Sequence, residues 1–315
     1  SDICQNPAYS NTTLKTVYDA PFLALIKDTK GQKKFEASDV IIADKSFYSI
    51  CDSSWSLERF SEEVNTFSPD NVQIGAPLRP GEHDQESGYE ALVHDKQIDL
   101  FYLVRESVEH AMTHASAEAA GVDNQNRHVL LKKRTAESHT GETEWHAVVE
   151  EVRVDGDDYS VQNKCVSEMQ FEGKSKGFEG ALGLKDSAGE MYLLGLCEGN
   201  HCREGDAGEE RGNGKIIVMR KEATKAAAPF LGYYCVWKTV REIAIPKAVH
   251  FKDYSAISIN AKGRIAITSQ EDSRVWLGAL THYSNGIFDP EKSELDARGS
   301  KILDFPRDPN CKVQV

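Results

Sequence analysis

The stretch "SKGFEGALGLKDSAGEMYLLGLCEGN", Ser175 to Asn200, holds an aromatic-acid pair, a short strand-like run, a turn, a second strand-like run and another acid. Two apolar runs separated by Asp, Ser and Gly read as a β-hairpin. Its ends, Phe178-Glu179-Gly180 and Cys197-Glu198-Gly199, are distant in sequence but come back to the same side of the sheet.

The hairpin recurs. The same order appears in "SDVIIADKSFYSICDSS" from Ser38, "YEALVHDKQIDLFYLVRESVEH" from Tyr89 and "YSAISINAKGRIAITSQEDS" from Tyr254. Each unit opens on a Ser or Glu and closes on an acid: Asp52, Glu106, Glu198 and Glu271. Further strands can be read behind the hairpins, in "HVLLKK" and "EWHAVVEEVRVDGDDYSVQNKCVSEMQF" for the second and in "GKIIVMRKE" and "GYYCVWKTVREIAIP" for the third. Alternation in "YCVWKTVREIAI" suits a half-buried strand, and "DGDD" at Asp155–Asp158 suits a tight turn rather than a calcium loop. Unequal spacing between units implies insertions. "SVEHAMTHASAEAAGVDNQN" is Ala-rich and is expected to carry a helical turn; "HCREGDAGEERGNG" and "YSNGIFDPEKSELDARGS" read as loops.

Repeated strand units with few helices point to an all-β fold, a β-propeller of about five four-stranded antiparallel blades, with six as the alternative. Residues 1–315 then form one domain. "TLKTVYDAPFLALIKDT" offers strand material without a hairpin of its own, while "KILDFPRDPNCKVQV" resembles the approach to the fourth hairpin. Leu14–Ile26 is therefore expected to pair with the C-terminal segment and close the ring, bringing Cys4 and Cys311 within bridging reach; a chain shortened at its C-terminus is the alternative.

The net charge of -13 disfavours nonspecific nucleic-acid binding and favours cations or basic partners. No apolar run is long enough to span a bilayer as a helix. Seven cysteines are scattered without a CxxC pair. The start "SDICQNPAYSNTT" has the look of a processed secreted chain and carries a glycosylation sequon at Asn11. Cys197 and Cys202 flank a four-residue segment and are expected to bridge in an oxidising compartment, stiffening Glu198.

If the first strand of each unit lines a channel, its start and the end of the second strand share one rim. That rim collects Ser38, Asp39, Asp52, Glu90, Glu106, Glu179, Glu198, Asp253, Ser255 and Glu271, with Tyr89, Phe178, Tyr254 and Asn200 beside them as candidate substrate-binding residues. So many carboxylates need raised pKa values or a counter-cation. Hard oxygen ligands suit Ca²⁺, with Asp52, Glu90, Glu106, Glu179, Glu198, Asp253 and Glu271 as candidate ligands. Arg105 and Arg274 are the alternative counter-charges.

The pattern "KGFEGAL…MYLLGLCEGN" resembles secreted propellers of the esterase-like and phytase-like superfamily, in which a Glu-Gly step opens inner strands. It is clearest at Phe178-Glu179-Gly180 and weaker at Tyr89-Glu90-Ala91; at Tyr254-Ser255-Ala256 the Glu has become Ser, and Ser38 holds the matching place in the first unit. The resemblance implies a propeller and, as in several relatives, Ca²⁺ with ester or phosphoester hydrolysis. The expected function is a secreted Ca²⁺-dependent hydrolase of a small ester or phosphoester, with Glu179 and Glu198 as catalytic acid and base. The alternative is a non-catalytic extracellular module that binds a protein or glycan and holds a structural cation.

Other motifs carry less. "GKSKG" matches G-x-S-x-G, but a strand follows Ser175 where a nucleophile elbow needs a helix. His110 and His114 have helical spacing without a third ligand and read as a solvated face. Trp237 and Trp276 read as core, and Trp55 is a candidate rim residue.

Overall fold

The computed structural model describes residues 12–64, 66, 68–81, 86–111, 143–174, 176–225 and 230–306. The fold is all-β. A helical turn, α1 (Phe22–Leu25), precedes the first unit: β1 (Ala37–Ala43), β2 (Ser46–Cys51), β3 (Leu57–Ser61) and β4 (Val72–Ile74). The second unit is β5 (Tyr89–Asp95), β6 (Leu100–Ala111), β7 (Thr143–Asp155) and β8 (Asp158–Phe171). The third is β9 (Phe178–Lys185), β10 (Met191–Cys197), β11 (Lys215–Ala223) and β12 (Cys235–Ala244), with a 3₁₀ turn at Asn200–Cys202 and α2 (Gly205–Glu209) inserted after β10. The fourth is β13 (Ala256–Ile259), β14 (Arg264–Ser269) and β15 (Arg274–Leu280), a small hairpin of β16 (Tyr283–Ser284) and β17 (Ile287–Phe288), then β18 (Leu295–Asp304).

Within each unit the main strands pair antiparallel in chain order, β18 following β15 in the fourth, while the β16–β17 hairpin pairs with β9. The turns explain why. Between β1 and β2, Asp44 and Lys45 both take positive φ (46° and 64°), the backbone that a two-residue hairpin needs. Between β7 and β8, Asp155 pairs with Asp158 across Gly156, whose φ is 63°. "DGDD" is thus a hairpin turn, as its composition suggests.

The second and third units are sewn together at their outer strands. β8 and β12 run parallel, with Val166 opposite Val236, and a disulfide joins Cys165 to Cys235. These eight strands, with the β16–β17 hairpin added on the free edge of β9, make one ten-stranded sheet. The core lies between units. Trp55, Tyr89, Ile50 and Leu103 fill the first junction; Trp237, Tyr102, Phe171 and Phe178 the second; Trp276, Phe251, Tyr254 and Phe288 the third. A smaller cluster of Leu25, Ile26 and Phe60 fastens α1 to the first unit. Trp55 is 1% exposed, so it is core and not rim.

The first strands of all four units line one cavity of about 910 Å³, which touches Val40 to Lys45, Leu92 to His94, Ala181 to Gly183 and Ile257 to Ile259. Close approach of these strands requires glycine on β9. A Cβ at Gly180 would come within 3.0 Å of the Ile257 backbone nitrogen, and one at Gly183 would overlap Val93 Cγ1. Replacing Gly183 with Ala is therefore expected to destabilise the fold by about 1–3 kcal/mol, read as a lower urea midpoint. An unchanged midpoint would show that β5 and β9 can part without loss.

Four such units, not five, lie among the described residues. Leu14–Ile26 was expected as strand; instead Pro21 leads into the helical turn of α1, and the observed link is shorter. Leu14 N–H donates to Asp304 O (2.9 Å) and Asp304 N–H donates to Thr12 O (2.8 Å). The expected helical turn from Ser107 is strand at its start, because Ser107 to Ala111 continue β6 against β7. His110 accordingly stands on a strand beside His146, not on a helix face. "HVLLKK", His114, Ser175, Asn11, Cys4 and Cys311 lie outside the described residues. No helix among the described residues is long and apolar enough to cross a membrane.

Candidate functional site

Glu90 and Glu179 are each the second residue of their strands, β5 and β9, and Ser38 has that place on β1. Ser255 sits one residue ahead of β13. Strand alternation sends neighbours to opposite faces. Glu90 and Glu179 are half-buried at the channel end while Tyr89 and Phe178 are 0% and 1% exposed.

The acids closing the hairpins stitch units together through their backbones. Gly88 N–H donates to Asp52 O (2.9 Å) and Glu106 N–H to Gly88 O (2.6 Å). Glu198 N–H donates to Gly177 O (3.3 Å), and Glu198 O accepts from Tyr254 N–H (3.0 Å). These bonds hold Glu106 and Glu198 at the unit junctions. Gly177 is required there, since a Cβ would press on Glu106 Cγ at 2.8 Å.

Carboxylate oxygens of Glu106, Glu179 and Glu198 lie within 4.8 Å of one another, all on half-buried residues. Burial, then the neighbouring Glu106, pushes Glu90 up to about 8, against a stabilising hydrogen bond from Ser38. Burial and Glu198 push Glu106 up to about 7, with Lys176 and Lys174 opposing. Glu179 is held well above the usual carboxylate range by burial and by Glu90, Glu198 and Glu106. The cause is one of crowding: four glutamates share a partly dry corner with too little positive charge.

The counter-charges are not those expected. Arg105 Nε donates to Ser87 O (2.9 Å) and its guanidinium lies over Trp55, and Arg274 pairs with Asp304 (2.9 Å). Lys176 instead pairs with Glu198 at 2.9 Å. Both lysines belong to "GKSKG", a stretch read for its serine when its signal lay in its lysines.

Of the other expected ligands, Asp52 stands at the edge of the group, where it helps to raise Glu90 and Glu106, and Asp253 and Glu271 are engaged elsewhere. Asp52 is raised by burial and by Glu36 and Glu86, a second acidic group that Lys34 bridges. Asp253 is occupied as a turn cap, accepting from Ser269 Oγ and from the N–H groups of Gln270 (3.0 Å) and Glu271 (3.2 Å). Glu271 is exposed and pairs with Lys252 (2.6 Å). Asp39 turns to the adjacent unit, accepting from Leu92 N–H (2.8 Å), and burial pushes it up to about 7.

The expected substrate-binding residues are structural. Tyr89 OH donates to Glu150 Oε2 (2.8 Å), Phe178 packs edge-on against Phe171, and Tyr254 OH donates to Val249 O (3.1 Å). Asn200, 0% exposed, donates to Lys252 O (2.9 Å) and accepts from Asn213 N–H (2.7 Å). Cys197 and Cys202 are bridged, next to Glu198.

The acidic corner fits Ca²⁺ on its donor chemistry. All donors are oxygens, and three carboxylate oxygens within 4.8 Å of one another are near enough to share one such ion.

No family model matches the chain, and no curated protein matches it. Among solved structures it is similar to Hsv2 of Kluyveromyces lactis, at 7% identity over 84% of this chain and 72% of the other, with a TM-score of 0.28. It is also similar to apo AztD from Citrobacter koseri, at 9% identity over 77% and 69%, with a TM-score of 0.28.

Proposed function

We propose that the four-stranded units are blades of a β-propeller whose acidic mouth binds Ca²⁺ and hydrolyses a small ester or phosphoester outside the cell. The observation that carries the reading is the convergence of Glu106, Glu179 and Glu198 within 4.8 Å. Glu90 stands behind them with a raised pKa, and the four residues are half-buried, not sealed from solvent. Glu106, Glu179 and Glu198 would hold the ion, with Glu90 adding charge; the ion's role is to polarise a carbonyl or phosphoryl oxygen. Glu179, its carboxyl held well above the usual range by burial and by Glu90, Glu198 and Glu106, is the candidate acid while no ion is bound to it, and Lys176 keeps Glu198 oriented. Two disulfides among the described residues are compatible with an oxidising compartment.

A second reading keeps the cation and drops the catalysis. The burial of Tyr89, Phe178 and Tyr254 favours it, because it leaves the mouth without an aromatic platform for substrate.

Calorimetric titration with Ca²⁺ at pH 6 and pH 8 tests the site. Glu90 and Glu106 hold protons in the folded chain up to about 8 and about 7. Without the ion, the folded state therefore binds more protons than the unfolded one above the ordinary Glu value, and stability should fall as pH rises from about 4.5 to about 8. Ca²⁺ should displace those protons, bind more tightly at pH 8 and oppose that fall. Failure to bind at either pH would overturn the proposal. Binding without Ca²⁺-dependent turnover of p-nitrophenyl acetate or p-nitrophenyl phosphate would leave the non-catalytic reading.

A further inference from the structure

The acidic mouth occupies one end of the channel. At the other end, His94 near the finish of β5, Asp99 in the β5–β6 turn and Asp44 in the β1–β2 turn bring ligand atoms within 4.8 Å of one another. We propose that these three residues form a second metal site, selective for a borderline divalent ion such as Zn²⁺, that clamps the first unit to the second. It is independent of the mouth: Glu90 and His94 are four residues apart on one strand, about 13 Å along it.

Several features argue for a site built at this position. The His94 side chain is only 7% exposed, a burial that holds the imidazole in one place. Its ring stacks on Phe101 with centroids 4.3 Å apart, and Nε2 faces Asp99 Oδ1 at 3.0 Å. Asp44 and His94 both line the 910 Å³ cavity, so an ion can reach them from the channel. Asp44 and Asp99 carry exposed carboxylates, 64% and 68%, which leaves coordination positions for water. Nearby, Lys96 stands 4.0 Å from Asp44, loose enough to be displaced.

The donor set decides the metal. An imidazole nitrogen beside two carboxylates suits Zn²⁺, whereas the all-oxygen mouth suits Ca²⁺. Binding would require the imidazole to turn a lone pair to the ion at Nε2, so the bound tautomer carries its proton on Nδ1. Asp99 would pass from hydrogen-bond partner to ligand. Since Asp44 belongs to the first unit and His94 and Asp99 to the second, occupation stabilises the contact between β1 and β5 by mass action.

The experiment is a Zn²⁺ titration of the intact chain, by calorimetry and by thermal melting, beside the variants His94→Gln, Asp99→Asn and Glu179→Gln. Wild type and Glu179→Gln should bind one Zn²⁺ with equal affinity and melt at a higher temperature when loaded. Loss of a direct ligand should exceed the roughly 10–100-fold that outer partners contribute, so His94→Gln should lose more than about 100-fold. Asp99→Asn retains the shape of the turn and should weaken Zn²⁺ without lowering the melting temperature of the free protein. Unchanged Zn²⁺ affinity in both His94→Gln and Asp99→Asn would overturn the site, even if Zn²⁺ binds elsewhere. Equal loss in Glu179→Gln would do so too, because it would place the ion at the mouth.

Discussion

Replacing Cys165 and Cys235 together by Ala is expected to lower stability by about 4 kcal/mol. The bridge closes a loop with a sequence separation of 70, and the entropy removed from the unfolded chain grows with the logarithm of that length. Cys197 and Cys202, separated by 5, should contribute only about 2 kcal/mol by the same relation. The larger loss has a structural partner. The parallel contact of β8 with β12 pairs only Val166 with Val236 and Trp237 with Ser167, a short ladder for a seam between two sheets. Urea unfolding of the two double variants, each checked for native circular dichroism, compares them directly. Equal midpoints would mean that the seam holds without its covalent link.

Arg79→Met is expected to cost about 3–5 kcal/mol, because it leaves a buried carboxylate short of charge. The Glu150 side chain is 0% exposed. Arg79 Nη1 reaches it at 2.8 Å, Lys164 Nζ at 3.0 Å, and the guanidinium lies over Trp55 at 4.2 Å while its Nη2 donates to Tyr89 OH and Tyr159 OH at 2.7 Å each. Burial pushes the Glu150 carboxyl up, but Arg79 and Lys164 pull it below its ordinary value. A folded pKa below the unfolded one means stability that is present above about 4.5 and disappears as pH falls through the folded value. In Arg79→Met the direction reverses: with only Lys164 left, protonation of Glu150 relieves the buried charge, so the variant should recover part of its loss on acidification. The double variant Arg79→Met, Glu150→Gln should be more stable than the single one at neutral pH. A single variant that loses less than about 1 kcal/mol would show that Lys164 alone neutralises the carboxylate.

The hairpins were legible because their chemistry is local. Alternation and turn residues such as Asp44, Gly156 and Gly189 mark where strands begin and reverse, and the starts of β5 and β9 are where the repeat puts them. The gathering of Glu90, Glu106, Glu179 and Glu198 follows from the same reading, since a hairpin returns its second end to its first. The aromatic residues beside them were misjudged for a reason that was available: successive side chains on a strand face opposite ways, so a Glu179 at the mouth requires Phe178 in the core. Asp253 and Glu271 failed differently. The fourth unit is preceded by an Asp whose carboxylate accepts from Ser269, Gln270 and Glu271 and so caps its own β14–β15 turn, while Glu271 pairs with Lys252. The Cys165–Cys235 link could not be read, because it depends on which outer strands of different units become neighbours. The Arg79–Glu150 pair is likewise a contact between residues 71 apart with no local pattern to announce it.

The nesting of the two disulfides has a consequence during biosynthesis. Of the four bridged cysteines Cys165 leaves the ribosome first, and the next to appear are Cys197 and Cys202, which belong to each other; its own partner Cys235 comes later. A chain oxidised in order of emergence would join Cys165 to Cys197 and trap β8 against the wrong hairpin. In an oxidising compartment, delayed oxidation or an isomerase that reopens the early bond would correct that pairing. Refolding of the reduced chain in air should therefore give more of the native pairing when a disulfide isomerase is added.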